Sequence, residues 1–484
     1  MRLIPEIPRD RYLQVAVLGL ICFTFLNMLY CTMGYEFGWG PMTFLVGPDD
    51  RFADVLKLSL SFRSVTRGVD KTRSFQTWKP IYQDYYEHPV YGGIENLATG
   101  ELTHFHHPPL STLIFLLTGI FIVQTGSPLL TLLLFFCIYL LEVWSVIWIG
   151  IPRAKRSLGL NSAFWFFCLA SYPALITFGR ANYVNAGLST LPITAFVIAI
   201  FVRKQATVAS LLALAIAVNI HPNAIIFLLA LPLAFGIRRA VKPSLQFITI
   251  AAAILGTSYL AAHQLYPDYT LTNFRKGVAI YENIYISSGA GVRNGSSLFG
   301  LVRAVNRGLH LKISFPNELR IFYILAMCLL FLACAALWRA SIRDKNGVQY
   351  NNAEESRGKK NNGRLVHDST RWPLPLVPFF LVSFYCILSP VFADYHLLVF
   401  IAPLVLAYFE RDNSRDRSRL LAVVAIVSVL MLSPKNYTFQ HASVQIILNP
   451  VILYSVVLSL TVLLLREARE QAHRPAMFRA AKGG

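Results

Sequence analysis

Charged side chains are scarce in this sequence: Asp, Glu, Lys and Arg make up 14% of its 484 residues, against 55% hydrophobic ones. That balance excludes an ordinary soluble domain, in which about a quarter of residues are charged. Also missing is the alternation over ~10-residue segments that a membrane β-barrel needs. The seven cysteines (Cys22, Cys31, Cys137, Cys168, Cys328, Cys334, Cys386) lie in or at the edge of apolar runs and form no CxxC pair. They offer no disulfide framework or thiolate metal site and read as small buried hydrophobes. No Gly-rich phosphate loop or Walker motif is present, and no globular module that would hold a nucleotide.

What the chain has is apolar length. Mean hydropathy is +0.51, and runs of roughly 15 to 22 apolar residues recur, the length that spans a bilayer as a helix. The expected fold class is all-α, a polytopic membrane protein. The net charge of +19 is not gathered on one face or interleaved with stacking aromatics, so no nucleic-acid partner is expected. Lys and Arg sit between the apolar runs, where they set topology and meet membrane lipids.

Arg2, Arg9 and Arg11 precede the run 12–33, which reads as a retained first helix with a cytoplasmic N-terminus. Residues 34–109 then form a long extracytoplasmic loop. It opens with Gly47-Pro-Asp-Asp-Arg-Phe-Ala-Asp-Val-Leu-Lys57, three carboxylates followed by a short amphipathic stretch suited to the bilayer surface. It ends with His104, His106 and His107 ahead of Pro108-Pro109, an extended approach to the next helix. These histidines lack metal-ligand spacing, and no metal is expected.

Two apolar runs follow, 110–123 and 129–151, before the basic cluster Arg153, Lys155, Arg156. Placing that cluster inside makes the first run a partial or surface helix. Residues 162–178 then rise and 184–202 descend. Residues 208–217 and 224–235 are each too short to cross, and Asn219-Ile-His-Pro-Asn223 breaks them. His221 should therefore sit in a recess lined by protein, because broken backbone is not tolerated against lipid. The run 245–263 leads to a second extracytoplasmic loop, 264–318, and the run 319–338 returns. The expected organisation is a transmembrane catalytic module over 1–338, a disordered cytoplasmic linker over 339–373, and C-terminal helices with a basic tail over 374–484.

Four polar clusters fall on one side by this count: Asp49/Asp50/Asp54, Arg180/Asn182, Asn219/His221 and Asp394/His396. Ionisable groups at helix breaks in a bilayer are candidates for function. Cations beside a carboxylate at the interface suit a lipid-borne phosphodiester: Arg180 and His221 to neutralise phosphate, an aspartate to deprotonate an attacking hydroxyl.

At these residues the chain resembles the GT-C glycosyltransferases that use polyprenyl-phosphate sugars, in particular the family 87 mannosyltransferases. The likeness rests on the Asp after the first helix (Asp50 or Asp54), the Pro-Pro-Leu of residues 108–110, Gly179-Arg-Ala-Asn182, His221 directly before Pro222, Asn294 to Leu298, and Ser389-Pro390 with Tyr395-His396. It spans roughly residues 12–400.

The resemblance implies a GT-C-like helix bundle in a bacterial inner or plasma membrane, with its active site extracytoplasmic. The implied reaction moves a sugar, with inversion, from a polyprenyl-phosphate donor to a lipid or glycan acceptor without a cofactor. Asp54 or Asp50 would be the base, and Arg180, Asn182, His221, His396, His107 and Asn294 the donor-binding residues. Arg180 and His221 stand where the family commonly has Gln and Lys. A transporter or flippase for lipid-linked saccharide, or a ligase, remains the alternative.

Overall fold

The computed structural model describes residue 11, residues 13–22, 107–125, 128–180, 182–281, residue 286, and residues 297–355, 376–389, 394–410, 417–433, 438–439, 442–443 and 445–482. Apart from a hairpin that pairs Thr438–Phe439 (β1) with Ala442–Ser443 (β2), its regular structure is helical. The helices are α1 (Leu13–Cys22), α2 (Pro109–Thr125), α3 (Pro128–Gly150), α4 (Leu158–Ala170), α5 (Tyr172–Arg180), α6 (Leu191–Ile198), α7 (Val208–Ile220), α8 (Ala230–Phe235), α9 (Ile237–Leu265), α10 (Leu271–Tyr281), α11 (Leu298–Gly308), α12 (Phe315–Glu355), α13 (Leu376–Leu388), α14 (Ile401–Glu410), α15 (Arg417–Leu432) and α16 (Gln445–Lys482).

Four stretches are long and apolar enough to cross a membrane: Leu133–Gly150, Ile237–Leu265, Phe315–Ala336 and Ile447–Arg466. A fifth is the pair α4 and α5, bent by 53°. Ser171 at the bend is extended, and Pro173, which cannot donate to a preceding turn, forces the helix to restart. On α9, Leu245, Ile248, Leu255 and Leu260 are exposed. So many large apolar side chains on one helix face suit a lipid environment rather than water.

Two parallel pairings organise the bundle. Along α3 and the segment 183–203, Tyr139 meets Tyr183, Gly187 closes on Glu142, and Gly150 approaches Ile198, so both stretches run the same way. A Cβ at Gly150 would lie 2.9 Å from Ile198 Cγ2, so glycine sets that spacing. At the foot of α3, Arg156 and Arg203 donate to the carbonyls of Trp148 and Ile151, satisfying acceptors that a helix end leaves open. In the second pairing α7 packs along α9, and Asn219 Nδ2 donates to the Ala251 carbonyl at 3.2 Å.

Two expectations need correction. Residues 339–355 are not an irregular linker but continue α12, which runs from Phe315 to Glu355. No proline interrupts the chain between Pro316 and Pro373, and a polar stretch without one can extend a helix already nucleated by its apolar half. Residues 356–373 lie outside the described set. Of the cysteines, Cys168 and Cys386 are buried, but Cys22, Cys137, Cys328 and Cys334 are exposed on the bundle.

Within the expected second loop, α11 is clamped onto the start of α12. Its N-cap Ser297 accepts from Gly300 N, and Arg303, 7% exposed, pairs with Glu318 at 3.2 Å between the rings of Phe299 and Phe315. Asn306 donates to Glu318 and accepts from Ile313 N. Removing one member of a buried pair strands the other charge. Glu318→Leu is therefore expected to lower unfolding stability in detergent by about 3–5 kcal/mol, and Arg303→Met/Glu318→Leu to recover most of it. Equal losses in the single and double variants, measured by denaturant titration, would contradict this.

Candidate functional site

The helix breaks gather in one place. His221, extended because Pro222 disfavours the α region at the residue before it, separates α7 from an eight-residue 3-10 stretch, Pro222–Leu229. A second 3-10 stretch, Asp394–Phe400, and a π-helical stretch, Tyr183–Thr190, pack against each other, and α5 packs on both. Pro192 follows the π stretch and has no N–H to offer the Leu188 carbonyl, which opens the regular pattern there. Long 3-10 runs and π turns inside helices are associated with functional positions.

At this junction the rings of His221 and His396 stand 4.7 Å apart, inclined by 60°. The Tyr385 hydroxyl lies 3.2 Å from His221 Nδ1, and Thr190 Oγ1 lies 3.5 Å from His396 Nδ1. Tyr385 also faces His396, with ring centroids 6.2 Å apart. Just beyond, Asn223 Nδ2 donates to Ser389 Oγ at 3.1 Å. His396, Thr190 and Tyr385 are buried, and His221 is half-buried. In the tautomer in which Tyr385 donates to Nδ1, the His221 proton sits on Nε2, a donor suited to an anion.

The depth of the junction follows from α9. Ala251, which Asn219 touches, is 14 residues from either end of that helix, or about 21 Å from each. The break is therefore level with the middle of α9. The hydroxyls of Tyr385 and Thr190 stand in for part of the water that burial removes from the two rings.

The other expected site residues fall as follows. Asp50, Asp54 and Asn294 lie outside the described residues. Arg180 ends α5, the helix that packs on the His396 segment, and its side chain lies outside the described set. Asn182 is buried at the start of the π stretch, and its backbone N–H donates to the Thr177 carbonyl. His107 is held through its carbonyl, which accepts from Tyr269 Oη at 2.9 Å and Thr112 Oγ1 at 3.0 Å, and its ring packs on Phe115. Burial pushes the Tyr269 phenol up to about 12, so it stays a donor at any physiological pH. One turn further on, Ser111 Oγ donates to the Ile220 carbonyl, next to His221.

Sequence reasoning overlooked Tyr385, Thr190 and Glu142. Glu142 lies midway along α3 and faces Gly187 of the π stretch, where a Cβ would come within 2.7 Å of its Oε2. Its Oε1 is buried without a hydrogen-bond partner among the described residues. A lone carboxyl in a run of apolar residues was its available signal. Among the described residues no three His, Cys, Asp or Glu side chains cluster as a metal ion requires.

No family model, curated protein or solved structure matches the chain. Fold and site together define an all-α protein with four or five stretches of membrane-crossing length and a polar junction built on two histidines where shorter helices break.

Proposed function

We propose that this chain is an integral-membrane inverting glycosyltransferase. In this reading it moves a sugar, mannose or another hexose or pentose, from a polyprenyl-phosphate donor to a lipid or glycan acceptor on the extracytoplasmic side. The observation that carries the reading is the meeting of His221 and His396, each with a hydroxyl at Nδ1, at a helix break. Such a pair can receive a lipid phosphate that arrives from the bilayer rather than from water.

The chemistry is a single displacement. An aspartate, Asp54 or Asp50, takes the proton of the acceptor hydroxyl as its oxygen attacks the anomeric carbon. The bond from that carbon to the phosphate oxygen breaks, and its electron pair leaves on polyprenyl phosphate. His221, His396 and Arg180 stabilise the departing anion, and Asn182, Asn294 and His107 orient donor groups. The leaving group is already a phosphate monoester, so basic side chains suffice and no metal is assigned a role.

The test is reconstitution in liposomes with a radiolabelled polyprenyl-phosphate sugar and an alcohol acceptor. Expected is a glycoside of inverted anomeric configuration whose formation withstands chelators. A transporter of lipid-linked saccharide shares the discontinuous helices seen at His221 and Asp394. Donor that changes leaflet without forming a glycoside would select that reading and reject ours.

A further inference from the structure

Between Glu142 and Asp268 the sequence contains no Asp or Glu, yet it carries nine Lys and Arg residues. Arg156 and Arg203 are spent on the carbonyls at the foot of α3. Arg238 and Lys242, one turn apart at the start of α9, have no hydrogen-bond or ion-pair partner among the described residues and are exposed. Together with Val241, Leu245 and Ile250 of α9 and Val208 of α7 they line an open groove of about 650 Å³. Gln246 and Thr249 add hydrogen-bonding groups within it.

We infer that this groove seats one anionic phospholipid, with its phosphate between Arg238 and Lys242 and an acyl chain along the apolar face of α9. Three features select that occupant. The cations stand at one end of the lining and Val241, Leu245 and Ile250 follow along α9, which matches a molecule charged at one end only. Among the described residues no carboxylate pairs with either cation, so an anion from outside can balance them. α9 is also a helix of membrane-crossing length with its basic residues at one end, where lipid phosphates lie. A zwitterionic lipid fits the groove but leaves no net charge to balance the two cations.

The experiment measures binding of dioctanoyl phosphatidylglycerol and dioctanoyl phosphatidylcholine to the purified full-length protein by native mass spectrometry. Expected is about tenfold preference for phosphatidylglycerol, lost in Arg238→Gln/Lys242→Gln. The same charge change on α10, Arg275→Gln/Lys276→Gln, should leave the preference intact. Leu245→Trp fills the groove and keeps both cations, and it should weaken both lipids equally. The inference is overturned if the α10 variant loses the preference as fully, if Leu245→Trp changes nothing, or if the unaltered protein does not discriminate between the lipids. None of these outcomes depends on whether the protein transfers sugar.

Discussion

Replacing both histidines, in His221→Ala/His396→Ala, is expected to lower sugar transfer by about 10²–10³-fold or more, since each donor aimed at developing charge is worth roughly that range. The expectation rests on geometry: two imidazoles 4.7 Å apart, level with the middle of α9, meeting where 3-10 and π-helical stretches pack together. Charge that develops there is screened by protein groups rather than water, so losing one cannot be made good by solvent. Tyr385→Phe removes only the hydroxyl that holds His221 Nδ1, and it should cost about tenfold, in line with one hydrogen bond. Turnover of saturating donor by each purified variant is the measurement. A Tyr385→Phe loss as large as that of the double histidine variant would mean that the pair is structural rather than in contact with phosphate.

The second large effect belongs to the loop after the first helix. Asp50→Ala/Asp54→Ala should bring transfer to background, a fall of about 10²–10⁴-fold, while radiolabelled donor still binds. The two carboxylates are four residues apart, so on a helix both would share a face. The single variants identify the base: one should match the double and the other should remain active. Full turnover in the double variant would remove the base from this loop and with it the proposed displacement. Donor release together with lost turnover would reassign the pair to binding.

Much of this arrangement could be read from the sequence because proline and length speak directly. Pro222 announced the break at His221, and the shortness of the flanking apolar runs suggested a protein-lined recess; the fold half-buries His221 and leaves Pro222 and Asn223 exposed. The Ser-Pro and Tyr-His of residues 389–396 marked a second polar point, and the fold brings it onto the first through His396. Tyr385 and Thr190 were illegible for a physical reason. A tyrosine within the apolar helix Leu376–Leu388 and a threonine before Leu191 look like ordinary core packing until the partner 164 or 206 residues away is known. The bend at Ser171 was signalled by Pro173 but hidden within an apolar run long enough to look straight. The helix from Phe315 to Glu355 shows the converse error: polar composition suggested disorder, although residues 339–355 hold no proline and the helix runs on through Asn346-Gly347.

Glu142 has a consequence for how the chain enters the membrane. The stretch Leu133–Gly150 must partition from the translocation machinery into lipid before the π stretch bearing Gly187 can pack against it. At that moment its carboxyl has no covering, and an acidic residue at the centre of a nascent span opposes partitioning by about 2.5–3.5 kcal/mol. Leucines, phenylalanines and tryptophans on either side of it outweigh that term. The surplus leucine and tryptophan surface that α3 turns outward is thus what lets a buried acid be delivered to the interior of the finished protein.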